Sequence, residues 1–180
     1  FGPIEDWNGT WAGYYKRKAI DPAVDHQYVA QEVPWVFIRF AEILFNHAEA
    51  SIELGDDAEA TQVLNLVRTR AGMPGIEASL PGSTLEEEFQ NEKRIEMAFE
   101  ESRYFDARRW MIAPEMFGED AKGIDITVKA TDYLDRGTYF DYTYTIISVE
   151  EREWLDKMYF FPIHRDEINR NPLLVQNPGY

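Results

Sequence analysis

The first 34 residues show no period of apolar and polar positions. They carry Trp7, Trp11, Tyr14, Tyr15 and Tyr28, broken at Asp21-Pro22 and Val33-Pro34, and read as an irregular, aromatic-rich lead-in. A helical period begins at Trp35 and runs to about Leu54. Phe37, Ala41, Leu44, Ala48 and Ile52 make its apolar stripe, and Glu42, Asn46, Glu49 and Glu53 its polar one. Gly55 is a natural stop for this helix. Asp56 with Glu59 has capping-box spacing and opens a second helix to about Arg70, whose buried side should be Ala60, Val63, Leu64, Val67 and Ala71. Two helices on so short a turn predict an αα-hairpin, the unit of tetratricopeptide-like arrays.

Residues 72–82 form a Gly/Pro-rich connection. Ser83 with Glu86, or Thr84 with Glu87, caps the next helix. Residues 92–110, EKRIEMAFEESRYFDARRW, read as one long helix in which large apolar side chains and charges are interleaved. Ile95, Phe99 and Phe105 follow a helical apolar spacing, as do Met97 and Ala98 beside them, while Glu96, Glu100, Arg103 and Asp106 run along an adjoining stripe. Charges that border an apolar face must be partly buried, and therefore paired. Beyond Pro114 the pattern is irregular. Residues 125–128 and 139–147 alternate and are β-branched or aromatic, predicting a short β-hairpin or extended loops. Residues 150–157 suggest a brief helical turn. Pro162, Pro172 and Pro178 rule out a long helix in the tail, which should wrap across the helices as extended chain.

Four segments resemble one family, in that family's order. Residues 92–110 resemble the signature helix of the SusD/RagB family, nutrient-binding outer-membrane lipoproteins. RFAEILFNHAEA (39–50), VRTRAGMP (67–74) and FPIHRDEINRNPLLVQNPGY (161–180) resemble three further family motifs, and the 13–18 segment GYYKRK resembles another family segment. His164 stands where the family usually has proline. The resemblance implies a mainly α, tetratricopeptide-like fold, with residues 35–180 as the C-terminal region of a longer protein. Signal peptide, lipid-carrying cysteine and N-terminal helices would lie outside these 180 residues. It also implies capture of oligosaccharide or polysaccharide at the cell surface and delivery to a SusC-like TonB-dependent transporter. Membrane attachment would come only through the lipid anchor. The family's ligand contacts come largely from variable loops, so no motif residue inherits a binding role by position.

Composition narrows the alternatives. The chain has 33 acidic against 18 basic side chains, a net charge of −15, which suits neither a phosphate backbone nor anionic lipid. It has no cysteine, hence no disulfide framework, thiolate metal site or cysteine nucleophile. Hydrophobic residues at 44% and aromatics at 14% describe a globular chain. No apolar run is long enough to span a bilayer.

The chemistry-bearing residues divide unevenly. Glu92, Glu96 and Glu100 at i,i+4 spacing could hold a hard cation. Like charges so spaced repel, and Lys93, Arg94, Arg103, Arg108 and Arg109 stand nearby to neutralise them, so a structural role is expected. His26, His47 and His164 have no metal-ligand spacing, and neither a GxSxG elbow nor a phosphate-cradling loop is present. Neither catalysis, cofactor nor metal is expected. Aromatics are the better lead, because sugars stack their C–H faces on Trp and Tyr while amides and carboxylates bond the hydroxyls. Trp7, Asn8, Trp11 and Tyr14 form the candidate ligand-binding group. Trp110 and Trp154 are expected to be structural. The alternative function is a tetratricopeptide-like protein-interaction module without glycan binding.

Overall fold

Helix α1 spans Phe40–Glu53 and ends through Gly55, whose φ of 76° no β-carbon opposes. The Gly55 and Asp56 amides donate to Ile52 and Ser51, closing a Schellman turn. Asp56 then caps α2 (Asp57–Arg70) by accepting from the Glu59 amide at 3.1 Å. The predicted αα-hairpin therefore forms, and α1 packs on α2. The computed structural model describes residues 14, 16–24, 30, 32, 36–130 and 139–180. Contacts divide the chain into two compact units, Lys18–Phe105 and Phe1–Arg17 with Asp106–Tyr180.

In the first unit the core is Phe45, Leu64, Ile76 and Phe89, each fully buried, with Phe45 and Phe89 meeting edge to face at 6.2 Å. Complete burial of such a side chain contributes roughly 1.5–3 kcal/mol. Ile76 enters on a short 3-10 turn, Ile76–Ala78, pinned where its amide donates to Asn65 Oδ1 at 2.8 Å. The apolar stripe of α1 is rotated from its expected phase. Ala41, Phe45 and Ala48 are buried, Leu44 is only half-buried and Phe37 is exposed. Contact with both α2 and α3 selects the centre of the buried face. On α2, Ala60, Val63, Leu64 and Val67 are buried as expected, but Ala71 is exposed and Arg68 takes the next buried position.

Thr84 and Glu87 form the capping box of α3 (Leu85–Glu96). The single helix expected over 92–110 does not form. It breaks after α3 and resumes as α4 (Ser102–Arg109), with Phe99 and Glu101 in the left-handed region at φ 65° and 63°. Ile95, Phe99 and Phe105 are exposed, whereas Phe89, Lys93, Met97, Asp106 and Ala107 are buried. The break has a tertiary cause. Lys18 Nζ donates to the carbonyls of Glu96 and Ala98 at 2.8 and 2.9 Å, and Arg39 Nη2 donates to the Glu96 carbonyl at 2.7 Å. Cations from distant chain segments thus occupy the carbonyl end of α3, where the helix dipole favours them.

The second unit holds α5 (Ala113–Phe117), an antiparallel hairpin and the tail. Strands β1 (Ala121–Ala130) and β2 (Tyr139–Glu150) pair in the register Lys122↔Ser148, Ile124↔Ile146 and Ile126↔Tyr144. The hairpin reading holds, with longer strands. The expected helical turn at 150–157 lies later, as a 3-10 turn at Asp156–Tyr159. The tail forms a short helix, α6 (Arg165–Arg170), and then folds back on its own start. Gln176 accepts from the Ile163 amide at 2.8 Å and donates to the Ile163 carbonyl at 2.9 Å, and Asn177 Nδ2 donates to the Phe161 carbonyl at 2.6 Å. Gly179, at φ 87°, passes so close to Lys157 that a β-carbon would sit 2.9 Å from that side chain.

Candidate functional site

Three glutamates and four bases dominate the Lys18–Phe105 unit. Arg39 bridges Glu96 and Glu100, at 2.7 Å from Nη1 and 2.6 Å from Nε. Arg70 adds a second bond to Glu96 at 2.6 Å, and Lys18 pairs with Glu100. Arg68 donates to Glu92 at 2.6 Å, to the Pro74 carbonyl at 2.8 Å and to Ser79 Oγ at 3.3 Å. Partial burial pushes the Glu96 and Glu100 carboxyls up. Hydrogen bonds and charge from Arg70 and Arg39 at Glu96, and from Arg39 and Lys18 at Glu100, outweigh it and hold both below the ordinary glutamate value. The pairing anticipated from the sequence exists, but its bases come from other elements. On the helices themselves Arg94 bonds Asn91 at 2.9 Å and Arg109 pairs with Asp106 at 3.0 Å. Carboxylates this fully engaged make a structural lattice. Among the described residues no three His, Asp or Glu side chains cluster as metal ligands.

Of the four expected ligand contacts, Tyr14 is 80% exposed, and Trp7, Asn8 and Trp11 lie outside the described residues. Trp154 is a packing residue. Its ring lies 5.9 Å from Phe117 and 5.0 Å from Tyr159, and the Arg108 guanidinium sits 5.0 Å above it. Trp110 is half-buried, with Arg109 5.3 Å over its ring.

Open aromatic surface appears elsewhere, on the hairpin. Tyr142 and Tyr144 project from the same face of β2, their rings 6.3 Å apart and inclined by only 21°, and both are exposed. Ile126 and Ile146 extend this face, also exposed. At its far end Ser148 Oγ donates to Asp120 Oδ2 at 2.7 Å, with Lys122 Nζ 3.9 Å from the same oxygen. The Ser148 bond is the main reason the Asp120 carboxyl lies below its usual value. The face thus offers two near-parallel rings for C–H stacking and, beyond Ile146, a mutually bonded hydroxyl and carboxylate with an ammonium nearby. The i,i+2 tyrosines were visible in the strand alternation, but their openness was not.

A shallow groove of about 430 Å³ runs along α2, lined by Thr61, Gln62, Asn65, Leu66, Thr69 and Glu77. Asn65 is already bonded to Glu77 at 3.1 Å and to the Ile76 amide, and no aromatic ring among the described residues lines the groove.

The SusD family matches the chain over residues 3–180. The chain belongs to the SusD family. SusD-like protein P2 of Formosa agariphila is 27% identical over 155 residues, which cover 81% of this chain and 26% of that protein. The crystal structure of a SusD-like protein from Bacteroides fragilis shares 37% identity and superposes with a TM-score of 0.63, over 81% of this chain and 26% of that one. The chain spans about a quarter of the length of these relatives.

The segments that carry the SusD resemblance do structural work here. Arg39 and Arg68 hold the glutamate lattice, and Gln176 and Asn177 staple the tail. His164 caps α6 by accepting the Asp166 amide at Nδ1, 3.3 Å away.

Proposed function

We propose that this chain is part of a non-catalytic glycan-binding protein of the outer-membrane surface. In this reading it captures oligosaccharide and passes it to a SusC-like TonB-dependent transporter. Residues 35–180 would be the C-terminal region of a longer, lipid-anchored polypeptide, with 1–34 as its lead-in. The SusD match over residues 3–180 is the observation that carries the reading. The open tyrosine pair on the hairpin supports it as a candidate contact surface in addition to Trp7, Asn8, Trp11 and Tyr14. A pyranose ring would stack its C–H face on an exposed phenol ring, and a longer oligosaccharide would reach the polar groups of Asp120 and Lys122 at the other end of the face. The net charge of −15 does not oppose a neutral sugar. Glu92, Glu96 and Glu100 are engaged by arginine or lysine, which fits a structural role for that cluster.

Affinity electrophoresis of the full-length protein against a polysaccharide panel tests the reading. A matched polysaccharide should retard it, and Tyr142→Ala with Tyr144→Ala should weaken binding roughly five- to a hundredfold, at about 0.5–1.5 kcal/mol per ring. Unaltered retardation of that variant rejects the hairpin face. Binding to no polysaccharide, with the transporter still co-purifying, favours the alternative, a protein-interaction module resting on the αα-hairpin of α1 and α2. New reducing ends on incubated oligosaccharide would count against a purely binding role.

A further inference from the structure

The tyrosine face of the β-hairpin belongs to an acidic stretch of the chain. Residues 119–153 carry nine acidic side chains against four basic ones, a balance of −5. At the Asp120 end of the face, Lys122 already stands 3.9 Å from Asp120, and Arg152 3.4 Å from Glu150. Glu119, Glu151 and Glu153 are exposed at this end and have no basic partner among the described residues. Nor does any lysine or arginine among the described residues lie over the ring of Tyr142 or Tyr144. A site built for an anionic sugar would hold a free cation beside its stacking surface. This face holds open rings, two cations that already face carboxylates, and surplus negative charge.

We infer that the hairpin face selects uncharged glycans and rejects chains whose sugars carry carboxylate or sulfate groups. The inference rests on the glycan-binding reading of this face and names the substrate class within it. From Tyr142 to Ser148 the strand extends roughly 20 Å, long enough for several sugar units to lie along it. A neutral chain stacks on the rings and passes the acidic end without penalty. A polyanion in the same pose brings its charges towards Glu119, Glu151 and Glu153 and meets no free cation in return. Like charges set against each other in this way suppress the wrong partner, and discrimination comes from the repulsion as much as from the stacking. Because these carboxylates are exposed, the effect is open to screening by salt.

Titration calorimetry of the full-length protein is the test, with a neutral polysaccharide that retards it and the same polymer after oxidation of its primary alcohols to carboxylates. At low salt the oxidised sample should bind roughly tenfold more weakly or worse, and high salt should narrow the gap. Methyl esterification of the carboxylates should restore binding. Glu119→Lys with Glu151→Lys and Glu153→Lys moves the local balance from −5 to +1. That variant should bind the oxidised sample within about threefold of the neutral one, and the neutral polymer as before. Equal affinity of the unaltered protein for the two samples overturns the inference and leaves the glycan reading in place, as does binding to acidic polysaccharides alone. A loss that esterification does not restore also overturns it, since hydroxyls and not charge were then being read. An oxidised sample still rejected by the lysine variant overturns the role of the three glutamates. Unchanged binding by Tyr142→Ala with Tyr144→Ala places the sugar elsewhere and overturns the assignment to this face. Binding to no polysaccharide at all removes the glycan reading and the inference with it.

Discussion

Arg68 in one unit and Arg108 in the other sit in contrasting surroundings. In Lys18–Phe105 the guanidinium groups of Arg39, Arg68 and Arg70 meet carboxylates, in a lattice that joins α2 and the residue preceding α1 to α3. In the unit of Asp106–Tyr180, Arg108 lies 5.0 Å over Trp154 and 5.8 Å over Phe117, and donates to the Met158 carbonyl at 3.3 Å. The first arrangement depends on ionised partners and on their desolvation being offset by charge. The second includes ring quadrupoles and a neutral carbonyl, which do not titrate. Arg68 is therefore held by a partner that titrates and Arg108 by rings and a carbonyl that do not, although Arg109 in the second unit pairs with Asp106.

The largest effect that would test this contrast is Arg68→Ala. It leaves Glu92 half-buried without its partner and frees the Pro74 carbonyl, so urea denaturation should report a loss of about 3–5 kcal/mol. A loss below about 1 kcal/mol would equate the lattice with an ordinary surface pair. Next comes acid. Glu96 and Glu100 have folded pKa values below their unfolded value of 4.5. Their contribution is therefore fully present above that value and fades as pH falls through the folded values. Hydrogen exchange corrected for intrinsic rates should show α3 amides opening below about pH 4.5, while the amides around Trp154 keep their protection. Simultaneous opening of both would erase the distinction. The smallest effect is Arg108→Met, with an expected loss of roughly 1 kcal/mol in urea denaturation. A salt-dependent loss would mean that Arg108 also works through an ion pair.

Where signals are local, the chain announces its structure. The Gly55 stop, the Asp56 cap, the Thr84–Glu87 box and the alternation of β2 each depend on neighbours a few residues away. The break between α3 and α4 was hidden because its causes, Lys18 and Arg39, lie more than fifty residues away in the chain. For the same reason Ile95, Phe99 and Phe105 read as a buried stripe yet face outward. The candidate site was legible as a residue class, aromatic with polar neighbours. Tyr142 and Tyr144 escaped notice because periodicity reports which side chains share a face and not whether anything covers it.

By itself, then, the sequence determined the helical hairpin, its caps, the β-hairpin and membership of the SusD family, since each is written in short-range spacing or ordered motifs. It also determined that charges beside the apolar face of 92–110 must be paired. Tertiary structure alone decided which bases pair them, where that helix breaks and which aromatics stay open. Those outcomes are set by desolvation and by contacts between distant segments, and neither has a sequence period.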